Sequence, residues 1–187
     1  MLRLALLILA ATALPAAAHT GHDHGDAVAG FLHPLTGSDH VAAMLSVGAW
    51  SALAGGNRVW AWPLAFVSAM VVGGVLGHAG VAMPMVEQSI AASLVIIGLL
   101  LALAVKAPTL LGVAVIASFA VFHGHAHGTE ADGAAWLPFM AGFAGATTVL
   151  HIVGIAIALA LVRLFNAIPV RVIGAATAVA GIALLVK

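Results

Sequence analysis

The chain has 187 residues, 64% of them hydrophobic and 6% charged, and its six basic side chains balance six acidic ones. Such a composition excludes a water-soluble globular domain and leaves no basic patch for nucleic acid. The absence of cysteine excludes disulfides, thiolate metal sites and thiol nucleophiles together. With a mean hydropathy of +1.21, the chain reads as an all-α, polytopic membrane protein whose core packs in lipid.

In chain order, residues 1–18 read as a cleaved signal peptide. Arg3 gives a positive start, residues 4–14 are apolar but too short to span a bilayer, and Ala16-Ala17-Ala18 is a small-residue cleavage site. An uncleaved short anchor is the alternative. Residues 19–28 form a histidine-rich tail, with His19, His22 and His24 beside Asp23 and Asp26. Residues 29–187 form a six-helix transmembrane domain. The spans are expected at 29–53, 60–83, 88–105, 109–127, 136–161 and 170–186, each near the ~20 residues that a crossing needs. Turn residues separate them: Gly55-Gly56-Asn57, Pro84, Pro108, Asp132-Gly133 and Pro169. With the N-terminus outside, Arg58, Lys106, Arg163 and Arg171 flank inner loops, the outer loops carry Glu87, Glu130 and Asp132, and only Lys187 breaks the pattern. This predicts a multi-pass protein of a bacterial inner membrane with both mature termini periplasmic. Gly73 and Gly77 on the second span, and Gly142 with Ala146 on the fifth, suit close helix packing in lipid.

Ten histidines stand against this low charge count. The first span opens HPLTGSDHVAAM, with Pro34 in its first turn. His33 and His40 are seven residues apart on one helical face, with Met44 a turn further in. Asp39 points about 100° away around the helix. It would ligate a metal if Gly37 loosens the helix, or orient an imidazole from behind; a structural ion pair with His40 is the plainer reading. The fourth span ends FHGHAHGTE, and His123, His127 and Glu130 fall at i, i+4 and i+7 on one face. Ionisable groups in a span are costly and usually functional, and imidazole with carboxylate suits a divalent transition metal. His125 lies on the opposite face unless Gly124 and Gly128 let the helix unwind. His78 and His151 lie in the second and fifth spans, where each alone is as readily an ordinary satisfied polar residue. By depth the set forms a ladder: the tail and His33, then Glu130, His127 and His78, then Asp39, His40 and His123, with His151 innermost. Several exchangeable ligands in series are what conduction needs.

His33, five residues and then Asp39-His40 reproduce an HX5DH motif, and Phe122 to Glu130 reproduce FHGxAHGxE. In both motifs, and along its whole length, the chain resembles the HupE/UreJ family of membrane nickel permeases that serve hydrogenase or urease maturation. The resemblance implies Ni²⁺ as transported substrate, no permanent cofactor, and His33, Asp39, His40, His123, His127 and Glu130 as the positions that matter. The tail histidines are then an accessory capture site. Ligand chemistry alone leaves Ni, Co and Zn close, with Cu(II) the tightest binder, so the preference for nickel comes from the resemblance. No GxxxxGK[ST] motif is present, which leaves facilitated diffusion or proton-coupled uptake. Two other readings stay open: a non-transporting accessory that hands metal to a partner, and a b-type haem protein with paired axial histidines. No HExxH motif supports a zinc hydrolase, and the chain is not expected to be an enzyme. Whether copies associate is left open.

Overall fold

The computed structural model describes residues 27–130 and 135–187. The expected signal peptide, the tail histidines His19, His22 and His24, and the Asp132-Gly133 turn lie outside the described residues. Among these residues are seven α-helices and no strand: α1 (Ala27–Thr36), α2 (Ser38–Ala54), α3 (Arg58–His78), α4 (Val86–Ala102), α5 (Thr109–Glu130), α6 (Trp136–Leu164) and α7 (Ile168–Leu185). Long apolar segments take this form because lipid offers no partner for a free backbone N–H or carbonyl.

Helices α3, α5, α6 and α7 are long and apolar enough to cross a membrane. At 17 residues each, α2 and α4 reach about 25 Å at ~1.5 Å per residue. Leu64, Val72, Leu110, Leu159 and Val179 stay exposed, while Trp50, Trp62, Phe66, Phe139 and Phe143 fill the interior. Apolar outside as well as inside, the chain is a multi-pass membrane protein.

The first span is not the single helix expected at 29–53. Pro34 sits near the end of α1 rather than in a first turn. Gly37 is extended, with φ −90° and ψ 112°, and the helix stops there. A Cβ on Gly142 would overlap the carbonyl of Ala27, and one on Gly30 the carbonyl of Phe139, so α1 lies on the first turns of α6. Phe143 in turn meets His40, with ring centroids 6.3 Å apart. A continuous helix would have carried Ala27 about 20 Å beyond His40 at ~1.5 Å per residue. The chain instead folds back at Gly37, and α2 runs along α6, where Gly48 meets the His151 carbonyl and Gly154 the Leu45 carbonyl.

Glycine also joins α3 to α5. A Cβ on Gly73 would strike the carbonyl of Val121, on Gly124 that of Met70, and on Gly128 that of Gly74. The expected packing role of Gly73 and Gly77 therefore holds. Unwinding at Gly124 and Gly128 does not: α5 is unbroken from Thr109 to Glu130, and both glycines admit the α3 backbone. Gly98, Gly174 and Gly181 join α4 to α7 in the same way. Such contacts hold helices together where the solvent is itself apolar.

The far end of the bundle is tied by side-chain donors. Trp50 and Trp62, 4.2 Å apart, donate from Nε1 to the carbonyls of Val105 (2.8 Å) and Thr109 (3.0 Å). Arg58 donates to the carbonyl of Ala54 (2.6 Å) and Arg171 to that of Ala102 (2.7 Å). These are the last residues of α2 and α4, where a cation also opposes the negative end of the helix dipole.

Candidate metal centre

The opposite end holds the histidines. α1 supplies His33, the first turn of α2 supplies Asp39 and His40, and the last two turns of α5 supply His123, His127 and Glu130. All six motif residues meet there. The two Nε2 atoms of His40 and His127 are 2.6 Å apart. His33 and His127 have ring centroids 4.6 Å apart, and His40 and His123 5.3 Å. His33, His127 and Glu130 each offer a ligand atom, all within 4.8 Å of one another. Phe143 from α6 packs against the rings of His33, His40 and His127 and gives the cluster an apolar floor.

Hydrogen bonds decide which nitrogen of each ring is available. Asp39 Oδ1 lies 3.0 Å from His40 Nδ1, and Glu130 Oε2 lies 3.1 Å from His127 Nδ1. A carboxylate only accepts, so both Nδ1 atoms carry a proton, and on neutral rings the lone pairs are then on the two Nε2 atoms. Those lone pairs face each other at 2.6 Å, an arrangement that is repulsive until a proton or a cation sits between them. This is the carboxylate–histidine–metal pattern, in which the acid orients the imidazole and raises its basicity. Asp39 is thus placed behind His40 and does not rely on a distorted helix. Glu130 backs His127 and also approaches His33 Nε2 at 3.6 Å, so it touches both imidazoles.

His123 is oriented by a residue that motif reading passed over. Ser93 of α4 donates to the carbonyl of Ile90 (2.6 Å), so its oxygen is left to accept from His123 Nε2 at 3.0 Å. The His123 lone pair then sits on Nδ1, which is buried without a hydrogen-bond partner. A serine two turns into this helix, beyond the polar start at Glu87, Gln88 and Ser89, is the sequence signal for it. The floor residue Phe143 had none, because its position depends on how α6 crosses α2.

A cavity of about 300 Å³ opens onto this cluster. His33, Asp39, His40, His127 and Glu130 line its floor, with Glu87, Gln88 and Lys187 around it. The remaining histidines go elsewhere. His78 is exposed and stacks on Trp136, with centroids 4.7 Å apart and planes at 18°. His125 donates from Nε2 to the carbonyl of Val81 (2.7 Å), a structural tie to the loop before α4. His151 is buried deeper along α6, against Phe66. The rings of His33, His127, His40 and His123 follow one another at centroid spacings of 4.6, 4.7 and 5.3 Å, and His78 lies to one side.

A bundle of apolar helices that closes a histidine–carboxylate cluster beneath a cavity defines a multi-pass membrane protein with a candidate metal centre. Residues 6–184 match the model of the HupE / UreJ protein family. The chain is also 45% identical over 186 residues to Protein HupE of Rhizobium leguminosarum bv. viciae, covering 95% of each. It belongs to the HupE/UreJ family. No solved structure matches it.

Proposed function

We propose that this chain is a permease for a divalent transition metal, Ni²⁺ by preference and Co²⁺ or Zn²⁺ by ligand chemistry, that crosses the inner membrane six times through α2 to α7. The observation that carries this reading is the pair of imidazole lone pairs from His40 and His127, converging at 2.6 Å with a carboxylate behind each. Two carboxylates balance the charge of one dication, so the loaded cluster is neutral in a setting where net charge is costly. With metal–nitrogen bonds of ~2.0–2.1 Å, the two nitrogens need part by only roughly 1 Å to admit an ion.

The cavity end faces the periplasm in this account, because the arginine-bearing loops belong inside. His19, His22 and His24 precede α1 and deliver metal to it. Uptake runs down the gradient, and an inside-negative potential contributes ~2.3 kcal/mol per charge per 100 mV. The metal is then used by a hydrogenase or a urease.

The test is ⁶³Ni²⁺ uptake in cells lacking their own nickel importers, with His40→Ala and His123→Ala at equal membrane level. Uptake by the parent at least tenfold above both variants supports the permease. No uptake by the parent, with metal still bound by the purified protein, means an accessory that holds metal for a partner.

A further inference from the structure

Among the described residues, two buried histidines lie outside the motif cluster: His125, which is tied to the Val81 carbonyl, and His151. His151 lies eight residues beyond Phe143 on α6, about 12 Å deeper at ~1.5 Å per residue. Its relative exposure is 1%, and neither ring nitrogen has a hydrogen-bond partner. An imidazole always presents either a donor or a lone pair at each nitrogen. Both are left open here, where lipid supplies nothing to meet them. Buried polar atoms without protein partners point to a water or an ion.

The position of His151 says which. Its ring meets Phe66 of α3 edge to face, with centroids 5.0 Å apart and planes at 80°. The same Phe66 ring meets His123, with centroids 5.5 Å apart. His123 is wholly buried, and its unpartnered Nδ1 is the lone pair left open by Ser93. Phe66 therefore stands between two imidazoles that both have open nitrogens. One turn back on the same faces of α3 and α6, Met70 and Thr147 are in contact, with the hydroxyl donating to the thioether at 3.6 Å. They add a thioether and a hydroxyl oxygen along the way. An aromatic face attracts a cation and does not hold it, which suits a barrier between two binding stations rather than a third site.

We infer that His151 is a second, inner ligand station for the transported dication, reached from His123 past the ring of Phe66. The inference rests on the permease reading for the direction of travel only; binding at His151 is testable without transport. A water chain through the same space would leave His151 without metal, and that is the outcome the test must separate.

Because the chain contains no cysteine, a thiol introduced by His151→Cys is unique. Purified His151→Cys protein in lipid nanodiscs, titrated with Co²⁺, should develop a near-ultraviolet thiolate-to-cobalt charge-transfer band. The parent and His151→Ala should show only the weaker visible bands of cobalt held by nitrogen and oxygen. Those visible bands, present in every sample, report that the outer cluster is folded and loaded. Visible bands without the charge-transfer band would overturn the inference. Should His151→Cys fail to fold, equilibrium dialysis with ⁶³Ni²⁺ takes its place: the parent should bind one ion more than His151→Gln, and equal stoichiometry would overturn it. A charge-transfer band in a protein whose parent transports nothing would leave the inner station standing and remove the permease.

Discussion

Asp39 and Glu130 each set a carboxylate oxygen on the Nδ1 of the imidazole beside them, and in the permease reading Asp39 acts through His40 while Glu130 is also close enough to His33 to share a ligand group with it. Asp39→Asn keeps an acceptor for His40 Nδ1–H but removes the negative charge behind the ring. Nickel affinity of the purified protein, read by calorimetry, should fall about 10–100-fold, the usual cost of losing such a partner. An unchanged affinity would place Asp39 in a purely structural role. Ser93→Ala removes the acceptor that fixes the His123 tautomer, and should lower the uptake rate on the order of tenfold while binding at the His40–His127 pair stays near the parent value. Affinity should also fall as pH is lowered, because a metal must displace protons from the imidazoles it binds, and a calorimetric series from neutral to acidic pH reads this directly. Apart from Ser93, the identities of these residues were legible in the sequence: imidazoles and acids at helical spacing in an apolar span have few bland explanations. Their division of labour was not, because spacing says which side chains share a face and nothing about which nitrogen carries the proton.

Among the elements, glycine separates what spacing fixes from what only packing decides. A Cβ on Gly128 would overlap the backbone of Gly74, and no rotamer change relieves a clash with backbone. Gly128→Leu should force α3 and α5 apart and cost more than the ~1–3 kcal/mol typical of an overpacked core, visible as loss of the monodisperse peak on size-exclusion chromatography. Gly37→Ala makes the opposite case. Its φ of −90° suits any residue, and the added Cβ would sit 3.0 Å from Asp39 Oδ1 and from His40 Nδ1. Thermal stability should barely move while nickel affinity drops; the reverse pattern would mean that the Gly37 break serves the fold alone. The small-residue pair Gly73/Gly77 announced a close helix contact from the sequence, and the structure supplies the partner, α5. The fold-back of α1 was hidden, because Pro34 and Gly37 lie in a segment whose apolar residues fit one long span as well as two short helices. Gly124 and Gly128 were ambiguous for a related reason: glycine serves unwinding and close approach equally, and only a neighbouring backbone tells the two apart.

For the molecule as a whole, the asymmetry of its two ends is the functional statement. One end presents a cavity floored by imidazoles and carboxylates; the other is closed by the paired indoles of Trp50 and Trp62 and by arginines on helix carbonyls. Orientation is testable with single cysteines in this cysteine-free chain. Val81→Cys should react with an impermeant maleimide added outside intact spheroplasts, and Asn57→Cys only after lysis; the reverse would invert the molecule. The six-span reading came from hydropathy and charge, and among the described residues four of its helices are long and apolar enough to cross a membrane. The order in which helices pack around the cluster depends on contacts between residues far apart in sequence, such as Ser93 with His123, and no local pattern carries those. The account turns on whether His40 and His127 together hold the cation. X-ray absorption at the nickel edge of the loaded, purified protein tests this most directly. The account predicts a shell of nitrogen and oxygen only, with the multiple-scattering signature of at least two imidazoles, one fewer in His40→Ala and one fewer in His127→Ala. A spectrum without imidazole scattering, or one unchanged by both substitutions, would contradict it.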